Sequence, residues 1–351
     1  MSLFSVSGIT ISAIAATVPR QVVNNLDLQN LQPAEREELV RKTGIGFRRV
    51  APPDICASDL CEAAAQRIFS SLGIAPASIG ALVFVSQTPD YLLPGNSMLL
   101  QKSLGLERSA FLLDINQGCA GYVYGLATLA GMMQTIGADR GLLLVGDTIT
   151  RLLSDQDRST LPIFSDGGSA TLLERKAGAA PMYFNVGADG SGATIIRVEG
   201  GGARNPLSAE SLDKKEIDPG ILRAPVHLAM SGIDVFNYSY RYVAPNIREL
   251  LESAGLTPDA PDYYIFHQAN QILNQSLQKK LGIPAEKAPE TLSIFGNTSC
   301  ATIPVTICSR LSGELSAESR KLLLCGFGVG FSWASMLTDL GPLFCPEIIE
   351  I

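Results

Sequence analysis

The stretch Phe111–Ile136, FLLDINQGCAGYVYGLATLAGMMQTI, decides how this chain is read. An apolar run ends at Asp114, a glycine precedes Cys119, and Gly121 opens a long run rich in Ala, Leu and Met. The pattern predicts a strand, a sharp turn and a helix. Such an elbow exposes the cysteine at the first turn of a helix, where unpaired N–H groups and the macrodipole favour a thiolate and lower the thiol pKa. Gly118, Ala120 and Gly121 are small enough to leave the approach to sulfur open. Taken alone, a cysteine in apolar surroundings is equally a small buried hydrophobe.

The same plan recurs in DYYIFHQANQIL, where the strand-like run Tyr263–Phe266 ends at His267 and a helix is predicted over 270–280. The chain has only two histidines. His267 should emerge at a strand end, a usual place for a catalytic side chain in a layered α/β fold; His227, in PVHLAMSG, has no such setting and reads as structural. Further apolar runs predict strands at about 7–15, 79–86, 110–114, 141–147, 169–174, 193–198, 322–326 and 331–338. Helices are expected at about 33–42, 59–71, 96–104, 121–136, 231–254 and 302–311. This alternation is that of α/β layers around buried sheets. The segment Gly187–Lys215 is poor in large apolar residues and reads as an excursion between the halves, either a plain surface loop or the wall of an entrance.

Two more stretches carry chemistry. Asn297 lies in SIFGNTSCATIP, where Gly296 permits a tight turn; its N-x-T would matter as a glycosylation acceptor only in a secreted chain. CGFGVGFSWAS, Cys325 to Ser335, sets three glycines around a hairpin-like turn that can bring a backbone N–H close to a ligand. It lacks the lysine of a P-loop and does not open a βαβ unit, so it is a poor phosphate cradle.

Composition narrows the class. The chain has 351 residues, 34 acidic against 27 basic, a net charge of -7 and 46% hydrophobic residues, enough for one large core or two medium ones. An acidic balance argues against general nucleic-acid binding. No apolar run approaches about 18 residues, so no membrane span is expected. The seven cysteines include no CxxC and no zinc-like spacing, which fits a reduced, cytoplasmic protein. The first residues, MSLFSVSGITISAIAATVPRQ, lack a basic region ahead of their apolar run and are not read as a signal peptide.

The order of Cys119 in its elbow, HQAN at His267–Asn270, GNTS from Asn297 and the closing GFGVGFSW resembles the beta-ketoacyl-acyl-carrier-protein synthase III family, condensing enzymes of the thiolase fold. KTGIGFRR at Lys42–Arg49 and DRSTLPIFSDGGSATLL at Asp157–Leu173 are similar to two further family segments, so the resemblance extends over nearly the whole chain. It implies an α/β thiolase-like fold with two pseudo-symmetric halves in a five-layered αβαβα sandwich. The halves would span about 1–175 and 220–351, joined by an excursion at 176–219, and the protein would be a homodimer. The implied roles are Cys119 as nucleophile, acylated by a primer thioester, with His267 and Asn297 around a malonyl thioester on acyl carrier protein. The backbone N–H groups of Cys119 and Val329 would form an oxyanion hole. Coenzyme A thioester enters as substrate, and no metal or organic cofactor is implied.

The reaction expected on this resemblance is a decarboxylative Claisen condensation. Two alternatives are transfer of the acyl group from Cys119 to a small-molecule hydroxyl or amine, and a non-catalytic partner subunit of a related synthase. Departures from the family pattern bear on partners. Glu38 stands where a tryptophan that stacks on the coenzyme A base is common, while Arg158 matches the arginine on the base's other side; Lys42, Arg158 and Asn270 are therefore the expected substrate-binding residues. Ile272 and Asn237 stand where basic residues are common, which leaves Lys279 and Lys280 as candidates for docking an acidic carrier. Leu93, before Pro94, replaces a phenylalanine in the expected primer pocket, and an aliphatic side chain there would admit a longer or branched acyl group.

Overall fold

A computed structural model describes residues 2–351. Two mixed sheets alternate with three layers of helix. The first sheet runs, edge to edge, Ile349–Glu350, Ile9–Val18, Gly167–Arg175, Arg140–Asp147, Ala81–Val85 and Phe111–Ile115. Ala81–Val85 is parallel to both its neighbours and buried along its whole length, which is why it reads as an unbroken apolar run rather than an alternation. The second sheet runs Ser2–Val6, Met182–Ala188, Ser332–Leu340, Arg320–Gly328 and Tyr263–Phe266.

The helices Gly121–Ile136 and Thr302–Arg310 lie between the sheets and pack on both. A helix in that position has no solvent face to supply, hence the run of Ala, Leu, Met and Gly that marks it in the sequence. Ala57–Leu72 covers the outer face of the first sheet, and Gly232–Ser253 covers that of the second, with Gln271–Leu281 packed beside it. The five expected layers are thus present. No helix among the described residues is long and apolar enough to cross a membrane.

The chain ends cross between the halves. Gly8, with φ of +73°, turns the chain out of Ser2–Val6, in the second sheet, and into Ile9–Val18, in the first; a single strand over 7–15 was expected there. At the other end, Ile349–Glu350 returns to pair with Ile9–Val18. The strand Gly167–Arg175 ends where the first half was expected to end, and residues 176–219 are not all connection. Met182–Ala188 is an internal strand of the second sheet, paired on both sides. It is disguised by Asn185, a polar residue buried in mid-strand because its Nδ2 donates to the Asn246 carbonyl (2.8 Å) while Asn246 Nδ2 donates to the Asn185 carbonyl (3.0 Å). The remainder forms two short ribbons, Ile196–Val198 with Leu228–Met230 and Lys215–Asp218 with Ile221–Arg223.

The halves meet backbone to backbone at the elbow. A Cβ at Gly326 would lie 2.6 Å from the Cys119 carbonyl oxygen and 2.7 Å from Ala120 Cα, neither of which can swing aside. Gly326→Ala is expected to lower the unfolding free energy by about 1–3 kcal/mol, the usual cost of overpacking. Equilibrium urea unfolding measures it, and an unchanged midpoint would contradict this close contact.

Candidate active site

The elbow comes from the strand Phe111–Ile115 and the helix that opens at Gly121, whose N–H donates to the Gly118 carbonyl at 2.6 Å. Cys119 sits in the turn with 6% of its surface exposed. Burial pushes the thiol up to about 12, with Asp147 adding to the rise, and the backbone N–H groups of Val329 and of Cys119 itself lower it by less than burial raises it. The lowered value expected from the helix N-terminus is therefore overturned: a sulfur shut away from water loses more by ionising than two amides return.

Val329 reaches the sulfur because its neighbours are glycines. A Cβ on Gly328 would lie 2.7 Å from Cys119 Sγ. Ser299 is the one non-glycine with positive φ among the described residues, so Val329 fills a place between two glycines in an ordinary backbone conformation.

His267 ends the strand Tyr263–Phe266, and its N–H is held by the Cys325 carbonyl at 2.8 Å. Its Nδ1 lies 2.7 Å from Thr302 Oγ1, and that hydroxyl gives its own proton to the Ser299 carbonyl at 3.1 Å. Thr302 therefore accepts the Nδ1 proton, and Nε2 keeps its lone pair. Burial drives the imidazole pKa down to about 3, against a small rise from the Ser299 backbone, so the ring is neutral at physiological pH. Phe327 meets the ring edge-on with centroids 5.5 Å apart.

Asn297 is held at three points: its N–H donates to Ile163 O (3.1 Å), its carbonyl accepts from Ser165 N–H (2.8 Å) and its Oδ1 accepts from Ser299 N–H (2.9 Å). The last bond fixes the amide so that Nδ2 is its free donor end, with only the Ala269 carbonyl at 3.5 Å. Cys119, His267 and Asn297 line one narrow cavity of ≈ 40 Å³, together with Asn270, Phe164 and Met230. Asn270 also caps the helix Gln271–Leu281, its Oδ1 accepting from Leu273 N–H at 3.0 Å. Ile196 is shared with a wider groove of ≈ 460 Å³ that Val329, Ile149, Leu152 and Leu228 line.

The other expected residues are dispersed. Lys42 and Arg158 do line one surface groove of ≈ 350 Å³, but each is paired with a carboxylate of the same groove: Lys42 with Glu38 at 2.7 Å and Arg158 with Glu35 at 3.4 Å. Lys279 is exposed, whereas Lys280 lies over the Tyr240 ring, 3.8 Å from its centroid, with its ammonium on the Tyr240 carbonyl. Leu93 does not line the Cys119 cavity of its own chain. It is 86% exposed, beside Leu92 at 90%, on the loop that joins the end of the strand Ala81–Val85 to the helix Asn96–Ser103. His227 is structural: its Nδ1 accepts from Ala224 N–H at 3.0 Å. Sequence reasoning missed Ser299 and Thr302, which set the His267 tautomer. Their signal is position alone, two and five residues after Asn297.

Comparison with known proteins identifies the family and the fold. Residues 113–190 match the family model described as 3-oxoacyl-[acyl-carrier-protein (ACP)] synthase III, and residues 251–340 match that for its C-terminal part. The chain is 32% identical over 321 residues to the beta-ketoacyl-[acyl-carrier-protein] synthase III of Desulfitobacterium hafniense strain Y51, covering 91% of this chain and 93% of that protein. It is 31% identical over 334 residues to the protein of the same name from Chelativorans sp. strain BNC1, covering 93% and 98%. Among solved structures, a 3-oxoacyl-(acyl-carrier protein) synthase from Burkholderia xenovorans LB400 superposes with a TM-score of 0.94 at 38% identity, covering 100% of this chain and 99% of that one. With its thiolase-like fold and acyltransferase-type relatives, the chain belongs to the beta-ketoacyl-[acyl-carrier-protein] synthase III family.

Proposed function

We propose that the protein joins an acyl primer to a malonyl thioester by decarboxylative Claisen condensation through an acyl-Cys119 intermediate. The observation that carries this reading is the convergence of the Asn297 amide and the His267 imidazole on the cavity that holds the Cys119 sulfur. Cys119 attacks the primer thioester. Its proton has an acceptor in the lone pair of His267 Nε2, and the growing negative charge on the carbonyl oxygen is met by the N–H groups of Cys119 and Val329. For the second substrate, Asn297 Nδ2 is a fixed donor for the thioester oxygen, where charge accumulates as carbon dioxide departs. Once it has taken a proton, His267 is the second donor. The enolate then attacks the acyl-Cys119 carbonyl and releases the sulfur, which takes back the proton held at His267; the thiolate expelled from the primer in the first step takes its proton from solvent.

The groove beside Val329 supports a primer longer than acetyl, because its Ile149, Leu152, Ile196 and Leu228 walls offer apolar surface to an alkyl chain. Leu93 takes part in that pocket only through a second copy of the chain. The exposed Tyr91–Leu93 loop is an apolar feature that a homodimer would cover. Acyl-coenzyme A or an acyl carrier delivers the primer, with the Lys42 and Arg158 groove on the nucleotide side, Asn270 beside the thioester, and Lys279 and Lys280 toward the carrier. The ion pairs at Lys42 and Arg158 and the Tyr240 contact of Lys280 occupy cations that an acidic partner would need. This specific observation favours a second reading, transfer of the acyl group to a small-molecule hydroxyl or amine, which needs no carrier at the second step.

Acyl adducts read by intact-protein mass test the proposal. Cys119→Ala should abolish loading from every thioester, and unchanged turnover would refute the mechanism. Asn297→Ala should slow malonyl decarboxylation about 100-fold or more while loading changes by less than about fivefold; equal losses would remove Asn297 from the second step. Octanoyl thioesters should label Cys119 as well as acetyl, and labelling restricted to acetyl would contradict the open groove. With burial holding the Cys119 pKa up at about 12, its alkylation by iodoacetamide should rise about tenfold per pH unit from 7 to 9. A plateau below pH 8 would show that the amides, not burial, set the thiol.

A further inference from the structure

The amide of Val329 can stabilise an oxyanion only if its direction is fixed before substrate arrives. The regular ladder reaches one side of it only: Gly328, whose carbonyl shares a peptide plane with the Val329 N–H, is paired with Ser332, while residues 329–331 lie outside the strands Arg320–Gly328 and Ser332–Leu340. A chain of two side-chain bonds holds the other side, the Val329 carbonyl. Gln117 Nε2 donates to Ser332 Oγ at 2.6 Å, and Ser332 Oγ donates to the Val329 carbonyl at 2.8 Å. Gln117 sits two residues before the nucleophile, in the same turn, and is half-buried; Ser332 is 4% exposed. The chain thus ties the elbow that carries one oxyanion donor, Cys119 N–H, to the turn that carries the other, across 215 residues of sequence.

The direction of the bonds matters. A carboxamide can give its proton to Ser332 Oγ, which leaves the serine proton for Val329. A carboxylate at 117 can only accept, and would draw the serine proton away from the turn. Beyond this tether the turn is anchored at Phe331, whose carbonyl accepts from Asp189 N–H at 2.8 Å and whose N–H donates to the Asp189 carbonyl at 3.1 Å, which leaves Val329, between Gly328 and Gly330, as the part the tether holds.

We propose that Gln117 and Ser332 are positioning residues that hold the Val329 amide at the spacing from Cys119 N–H needed to stabilise the tetrahedral intermediate of Cys119 acylation. In that step the sulfur gives up its proton and bonds to the acyl carbon. The carbonyl electron pair moves to oxygen, where the two N–H groups receive it, and its return expels the leaving group, which takes up a proton. The inference rests on acylation of Cys119 alone, so it stands apart from decarboxylation and carbon–carbon bond formation.

The experiment compares two reactions of Cys119 in the full-length protein. Acylation by p-nitrophenyl butyrate and by the butyryl thioester of N-acetylcysteamine passes through an oxyanion; alkylation by iodoacetamide does not. Ser332→Ala should lower the limiting acylation rate by about 10- to 100-fold, the loss expected for a donor displaced by about an ångström. Half-saturation should stay within about twofold, and the alkylation rate, which feels the Val329 N–H only through its effect on the thiol, should fall several-fold less than acylation. Ser332→Thr, which keeps the hydroxyl, should recover most of the rate, and Gln117→Glu should lose as much as Ser332→Ala, giving a second route should the alanine variant fold poorly. Acylation at the wild-type rate in both Ser332→Ala and Gln117→Glu would overturn the proposal. So would parallel losses in acylation and alkylation, or a Ser332→Thr variant no better than the alanine. If the wild-type protein takes up neither acyl donor, this proposal and the acyl-Cys119 reading fall together. If it acylates but releases no carbon dioxide from malonyl thioesters, only the condensation reading falls.

Discussion

Everything in this molecule is arranged around one close contact, the packing of bare backbone at Gly326 and Gly328 against the turn that carries Cys119. A side chain at either position would intrude on the Cys119 carbonyl or on its sulfur. The contact joins two sheets that come from different parts of the sequence, and it sets the Val329 N–H on the sulfur. The five layers serve it. Helices Gly121–Ile136 and Thr302–Arg310 share the central layer, so the nucleophile at the head of one and the His267 partner Thr302 at the head of the other are fixed within a single core.

Burial gives the site its chemical character. In water a thiol near pKa 8.5 and an imidazole near 6.5 would be partly ionised at neutral pH. Here both are held uncharged by the same cause, burial of the two side chains in the protein interior. Neutral partners with one vacant lone pair at Nε2 suit a site where charge should appear only as substrate reacts. The fixed amides and the Asn297 carboxamide then act in a low dielectric, where each donor counts for more than in water. The rigidity is general: Asn297 is tied by three bonds, and His267 by a backbone bond and the Thr302–Ser299 relay.

Much of this was legible in the sequence, and the failures have physical reasons. Strands buried on both faces announce themselves as apolar runs, and Tyr263–Phe266 and Gly121–Ile136 fall where the pattern predicts. Met182–Ala188 did not, because Asn185 is paired through its Nδ2 and its carbonyl with Asn246 from a helix about 60 residues on, a pairing no local pattern reveals. Cys119, His267 and Asn297 stood out by their turns and small neighbours, and the structure brings them into one cavity. The lowered Cys119 pKa did not survive, since local sequence shows a helix terminus but not the desolvation that outweighs it. Where Leu93 points was hidden for a similar reason: position in a motif cannot tell whether a side chain faces its own chain's cavity or outward. The Gln117–Ser332 link was invisible because its ends lie 215 residues apart.

The central claim is that acyl-Cys119 is consumed by an enolate made in the same cavity. The most direct measurement loads Cys119 with a labelled acyl group, adds malonyl carrier protein labelled in its free carboxyl, and tracks both labels in a single turnover. The account predicts one carbon dioxide released for each acyl group lost from Cys119, with the acyl label recovered in a ketoacyl thioester. Loss of the acyl group to water or to an alcohol or amine without matching carbon dioxide would contradict it.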